Sequence, residues 1–265
     1  GEIVVRTDAH ATYPPEYVAL LVRTLEETGA DLVGTAMEAV PADDSLRALA
    51  ICYAVAGGFA TGSAFRYRSG GRVDTVPFGC WRRSLFDRIG LFDPRLTRNQ
   101  DNEHASRILH RGGRIHQTTA LKLRYIPRAT LREHLRQRVQ NGMWNAFTQR
   151  LHPYAFRWRH FLPALFFLGV LFCVGLALAG AVLGRPLFSA LAAALLLPYL
   201  SANLLVSVEQ ARLHARPALA PVVAVTLFAQ HFVYGYGIVL GWLLIATGRW
   251  RRRLGGQKGW KEVRS

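Results

Sequence analysis

The chain has 265 residues, is 51% hydrophobic and carries a formal net charge of +16. A soluble domain that basic would point to nucleic acid, but the apolar residues are segregated. Residues 161–183, 187–208 and 218–247 carry no charge with His neutral, and each run exceeds the ~20 apolar residues that span a bilayer core. The expected partner is therefore a membrane and not nucleic acid. The excess positive charge divides about evenly on either side of residue 160, with RWRH (157–160) and RWRRR (249–253) flanking the apolar runs. The three cysteines, Cys52, Cys80 and Cys173, form no CxxC pair. That argues against a disulfide framework or a zinc site and fits a reducing, cytosolic setting for the polar part.

In chain order, residues 2–7 read as a buried strand that stops at Asp8-Ala9-His10. Pro14 and Pro15 suit a first helical turn. Tyr17, Leu20, Leu21 and Leu25 follow at helical spacing, and Gly29 is placed as a C-cap. Residues 31–35 predict a second strand, parallel to the first across the helical crossover. Ligands of open α/β sheets bind beyond the carboxyl ends of strands, which is where Asp8 and His10 fall. A helix is predicted over 44–56, capped by Asp44 or Ser45. A glycine-rich basic stretch over 57–71, with Arg66 and Arg68, either orders around an anion or is a surface loop.

Residues 74–80 predict a strand ending at Gly79, and 81–89 a short helix closed by Gly90. Asn99 or Asp101 caps a helix with body 102–111, ended by Gly112-Gly113. Residues 114–125 suggest strands, and 129–145 an amphipathic basic helix leading to the first apolar run. Three full crossings would put RWRRR opposite the polar domain, against the positive-inside tendency. The expectation is therefore two crossings plus one irregular segment. The third run is the candidate for irregularity, because His231 and Tyr234-Gly235-Tyr236-Gly237 interrupt it.

Several residues can carry chemistry. A carboxylate and an imidazole as close as Asp8 and His10 can share Mg²⁺ or Mn²⁺, or can be a plain turn pair. Asp101 at a helix N-terminus can serve as a general base or as a cap, with Glu103 second to it. Gln137 and Trp144 lie seven residues apart on one helical face, where Trp144 either stacks on a ring or anchors at the membrane interface. His231 is either an intramembrane functional group or a neutral helix contact.

The order of these pieces resembles the membrane-bound family 2 glycosyltransferases, in the succinoglycan-biosynthesis glucosyltransferase-like group. The stretches that carry it are VVRTDAHATYPPEYV (4–18), DTVPFGCWRRSLFDRIGLFD (74–93), RNQDNEHASRILHRGGRI (98–115), YIPRATL (125–131), QRVQNGMW (137–144) and HFVYGYGIVLG (231–241). The resemblance implies an α/β GT-A-type domain over 1–128 whose N-terminal, uracil-binding part lies upstream. Interface helices over 129–160, transmembrane helices over 161–248 and a basic tail over 249–265 complete the expected chain.

It further implies an inverting, metal-dependent transfer from a nucleotide-sugar donor, with UDP-glucose first, to a lipid-linked saccharide acceptor. The setting would be exopolysaccharide synthesis at a bacterial inner membrane, with the catalytic domain cytoplasmic. By the resemblance Asp8 holds the metal, with His10 where many relatives have a second Asp, and Asp101 is the base, with Gln100 where Glu is usual. Gln137 and Trp144 form a diverged Gln-x-x-Arg-Trp motif, and Gly79 and Arg82 belong to an acceptor-side loop. The alternatives are a non-catalytic membrane subunit and a polyprenyl-phosphate sugar transferase.

Overall fold

A computed structural model describes residues 1–8, 11–61, 70–76, 78–155 and 158–254. Among the described residues six strands form one mixed sheet: β1 (Ile3–Arg6), β2 (Ala11–Thr12), β3 (Leu32–Ala39), β4 (Gly71–Arg72), β5 (Gly79–Arg82) and β6 (Ile115–Tyr125). Their order is β1-β5-β3-β6-β2, with β4 also on β6. β3 and β6 are parallel, while β5 is antiparallel to both of its neighbours. The predicted parallelism of β1 and β3 is therefore one of direction only. β5 lies between them, and its Cys80 pairs with Val5 on one side and Val33 on the other.

The placement of β5 corrects the expected strand at 74–80 and helix at 81–89. The strand begins at Gly79, and the helix, α4 (Ser84–Ile89), starts only after it. The cause is alternation along a strand with both faces covered. Cys80 joins the core under helix α1 (Tyr17–Thr28) with Tyr17, Leu21, Leu25, Val33 and Leu123. Trp81 joins the opposite core with Leu32, Leu85, Ile89, Ala105, Ile108 and Ile115. The first six residues of β3 are buried, as a strand covered on both faces requires.

Local signals placed several helix ends. Gly29 adopts the left-handed conformation after α1, and its N–H bonds the Leu25 carbonyl. Of the two candidate caps, Ser45 closes helix α2 (Leu46–Ala56), accepting from the Ala48 N–H at 3.1 Å. A short helix α3 (Gly58–Thr61) follows; Arg66 and Arg68 lie outside the described residues. Helix α5 (Gln100–His110) starts two residues before its predicted body. β6 is one strand, in which residues 119–121 bulge out of the parallel ladder with β3.

Thr130 caps helix α6, which runs over Leu131–Leu151, beyond its predicted end. Its residues Gly142–Thr148 are all buried, whereas Arg132, Glu133, Arg136 and Arg150 are exposed, so one side of the helix packs inward and the other stays open. Among the described residues three long apolar helices follow, α7 (Leu162–Val182), α8 (Pro186–Leu213) and α9 (Leu219–Ala246). Each is long and apolar enough to be a candidate membrane span. The third run forms one continuous helix, α9, of 28 residues, so no break at His231 or the Tyr-Gly-Tyr-Gly stretch distinguishes it from the other two.

Candidate active site

The carboxyl end of β1 and the first turn of α5 meet at one edge of the sheet. Asp101 is the second residue of α5, where backbone N–H groups and the helix dipole favour an anion. Its carboxylate pairs with the Arg6 guanidinium, and both side chains are about a third exposed (34% and 38%). Arg6 also lies over the Phe92 ring, 5.5 Å from its centre. Asp8, two residues beyond Arg6, is half-buried. Its backbone N–H donates to the Tyr13 hydroxyl at 2.6 Å, and Tyr13 rests on Tyr17 and Phe78. Burial, above all, raises the Tyr13 phenol, which therefore serves Asp8 as a neutral hydroxyl.

The turn before Asp101 is clamped from the next helix. Arg98 donates to Gln140 at 2.6 Å and to Asn141 at 3.2 Å, both on α6. Asn99 has φ +63°, which Asn tolerates better than most residues, and its amide bonds Asn145. Asn145 in turn bonds Tyr234 of α9. A chain of side-chain amides and a phenol thus ties the start of α5 to the apolar helices.

Glu103, the second candidate base, has another environment. It is fully buried, held by Arg107 and by the Tyr154 hydroxyl at 2.7 Å. Burial and then Glu103 itself push the Tyr154 phenol up to about 12. Beside it, His152 bonds Asp93 at 2.7 Å, and Arg95 clasps the same carboxylate. Burial works against the Asp93 anion, but the bonds from His152 and Arg95 outweigh it and hold the carboxyl well below the usual range. This cluster joins α5 to the segment after α6 and leaves Glu103 no face toward the edge.

The other predicted site residues are dispersed. The Gln100 amide turns back onto the Leu96 carbonyl. Gly79 stands opposite Arg6 in the β1–β5 ladder, and a Cβ there would lie 2.5 Å from Leu32, so the glycine admits close packing. Arg82 is exposed opposite Ile3, about 10 Å along the strand from the Arg6 end, and lines a depression with Glu2, Arg83 and Asp87. Gln137 is half-buried on α6. Trp144 is buried with Leu96, Met143 and Phe147. His10 lies outside the described residues.

Arg6 is the residue the sequence reading passed over. It lies inside the quoted 4–18 stretch, but nothing local marks it, because its partner is 95 residues away.

Among the described residues no three His, Cys, Asp or Glu side chains gather as a metal cage. Mg²⁺ commonly binds through one or two carboxylates plus phosphate oxygens and water. The half-buried Asp8 carboxylate at a strand end fits that open mode and not a closed protein cage.

Over 140 residues the chain is 31% identical to the succinoglycan biosynthesis protein ExoA of Rhizobium meliloti (strain 1021). The match covers 49% of this chain and 40% of that relative's length. No family model matches the chain.

Proposed function

We propose that this chain is part of an inverting glycosyltransferase that moves a sugar, glucose from UDP-glucose in the first instance, onto a lipid-linked saccharide in exopolysaccharide synthesis. The reading rests on the meeting of Asp101, Arg6 and the Asp8 strand end at one sheet edge, in a chain similar to a succinoglycan biosynthesis protein. Residues 1–128 belong on this reading to a GT-A-type catalytic domain facing the cytoplasm of a bacterial inner membrane.

Inversion by single displacement needs one base to take the proton from the acceptor hydroxyl as that oxygen attacks the anomeric carbon. Asp101 is that base. Its backbone is held by the Arg98 and Asn99 clamps on α6, so the carboxylate stays aimed while the acceptor enters. Asp8, with His10, would hold a divalent cation, which would supply positive charge to offset that of the leaving nucleoside diphosphate. Arg6 stands two residues before Asp8 on the same strand end and pairs with Asp101. Its fork geometry suits phosphate as well as carboxylate, so an incoming diphosphate draws it from Asp101 and releases the base.

The test is nucleoside-diphosphate release by the full-length parent protein in membranes, supplied with UDP-glucose, lipid extract and Mg²⁺ or Mn²⁺. Release that collapses in Asp101→Asn supports the reading. Release untouched by that variant removes Asp101 as base, and no release with any of several nucleotide sugars favours a non-catalytic membrane subunit.

A further inference from the structure

Helix α9 is as long as α8, but its surroundings are different. It meets the α/β domain at both ends. Leu219, Val223 and Leu227 pack with Ala50 and Ala54 of α2 and Ala60 of α3. Leu244, Ile245 and the following Trp250 pack on Leu96, Met143, Trp144 and Phe147. Between these ends α6 runs alongside in the same direction. His134 bonds Gln230 at 3.0 Å, and Trp242 donates to Gln149 at 3.3 Å. A Cβ on Gly237 would lie 2.2 Å from the Val139 carbonyl, and one on Gly142 2.2 Å from that of Tyr234. The glycines let two backbones touch.

This companionship decides where α9 can lie. α6 exposes Arg132, Glu133, Arg136 and Arg150 on its other side. A charge at a bilayer centre costs ~2.5–3.5 kcal/mol even on the lowest scale, so a helix bearing four of them belongs outside the hydrocarbon. α9, packed on it from Gln230 to Ile245, belongs there too.

The α7–α8 hairpin is the opposite case. Leu165, Phe172, Leu178, Val182, Leu187, Leu195 and Leu205 are all exposed. The ring and backbone contacts described between α7 and α9 fall at Phe161–Phe167: Phe161 on Trp242, Phe166 on His231, Phe167 on Tyr236, and the Pro163 carbonyl against Gly235. The stretch from Phe161, in the turn before α7, to Phe167 spans about 9 Å, whereas residues 231–242 span about 17 Å of α9. α9 therefore crosses the foot of α7 instead of following it. α8, about 42 Å long, exceeds a ~30 Å core. Its later part touches α9 through Tyr199 to His231 (2.8 Å) and Asn203 to the Ala224 carbonyl (3.1 Å). The turn after it returns to the domain, where Arg216 bonds the Asp44 carbonyl.

We infer that this chain crosses the bilayer once out and once back, by α7 and α8 alone. α9 lies across the foot of that hairpin on the side of the α/β domain. Arg249, Arg251, Arg252 and Arg253 then emerge beside that domain, facing the lipid headgroups, which reconciles the chain with the positive-inside tendency. This topology does not depend on the proposed activity.

Single cysteines test it in the full-length parent protein, with Cys52, Cys80 and Cys173 replaced by Ala, in right-side-out and inverted membrane vesicles probed with an impermeant maleimide. Glu26→Cys on α1 marks the domain side and Leu183→Cys marks the hairpin tip. The expected result is that Arg252→Cys reacts in the vesicles that label Glu26→Cys and loses its labelling in those that label Leu183→Cys. Reaction of Arg252→Cys together with Leu183→Cys would show three crossings and overturn the inference. Reaction of all three positions from one side would show no crossing and overturn it equally. Arg185→Cys and Arg253→Cys repeat the comparison at neighbouring exposed positions, so that failure of one variant to fold does not decide the result.

Discussion

Asp101 and Glu103 are two residues apart on one helix and have opposite surroundings. Asp101 is about a third exposed at the sheet edge, paired with an equally open Arg6. Glu103 is fully buried and saturated by Arg107 and Tyr154. Two residues turn a helix by about 200°, so one carboxylate looks toward a place where a substrate can come and the other into the protein. Two carboxylates that the sequence offers alike are thus separated into an open position and a buried one by the rotation of α5 alone.

The largest expected effect is on turnover at the open position. Asp101→Asn should lower nucleoside-diphosphate release ~10²–10⁴-fold, the usual worth of a positioned base. Its thermal midpoint should stay near the parent's, because an exposed pair contributes only ~0–1 kcal/mol. Glu103→Ala should do the reverse. It strands Arg107 in the interior at a cost of ~3–5 kcal/mol, visible as a lowered midpoint in detergent, with activity tracking the folded fraction. A Glu103 variant of normal stability and lost turnover would break the comparison.

A third residue of the same helix sharpens it. His104 is buried against Trp81 and Phe92; burial first, and then the nearby Arg107 charge, lower its pKa to about 4. An unfolded histidine titrates near 6.5. Between those values the unfolded chain takes up a proton that the fold refuses, so stability is full above pH ~6.5 and declines as the pH falls toward 4. The loss is on the order of 3 kcal/mol for such a shift. His134 on α6, lowered to about 4 chiefly by burial, acts in the same direction. Thermal midpoints measured from pH 7 to 4.5 should fall, and His104→Phe should flatten the slope. An unchanged slope would remove His104 from the account.

The smallest effect concerns the link from the edge to α9. Asn145→Ala deprives the Asn99 amide and Tyr234 of their shared partner, at about 1–3 kcal/mol. Turnover should fall with donor KM unchanged, since the substitution loosens the turn that aims Asp101. A change confined to KM would place Asn145 in donor binding instead.

Much of the frame was legible because its causes are local. Gly29 and Ser45 ended or began helices where a left-handed residue or a side-chain acceptor was due. The long uncharged runs announced apolar helices for the same reason, since a run of that length has no other stable form in lipid. The first strand and its abrupt end at Asp8 were legible from an apolar run meeting polar residues. β5 was not, because Gly79 looks like a terminator in isolation and becomes a strand residue only between β1 and β3.

Of the site, Asp101 and Asp8 were legible as types at element ends. Arg6 was not, since its pairing spans 95 positions, and the burial of Trp144 was not, since an aromatic near an apolar run suits an interface as well as a core. What the order of residues determined by itself is therefore the polar–apolar division of the chain, most helix ends and the candidate carboxylates. Each of these depends on neighbours within a turn or two. The tertiary structure decided which carboxylate stays open, which arginine meets it, and that α9 packs on the α/β domain at both ends and on α6 between them. Those outcomes depend on surfaces brought together from distant parts of the chain, and burial, not spacing, sets them.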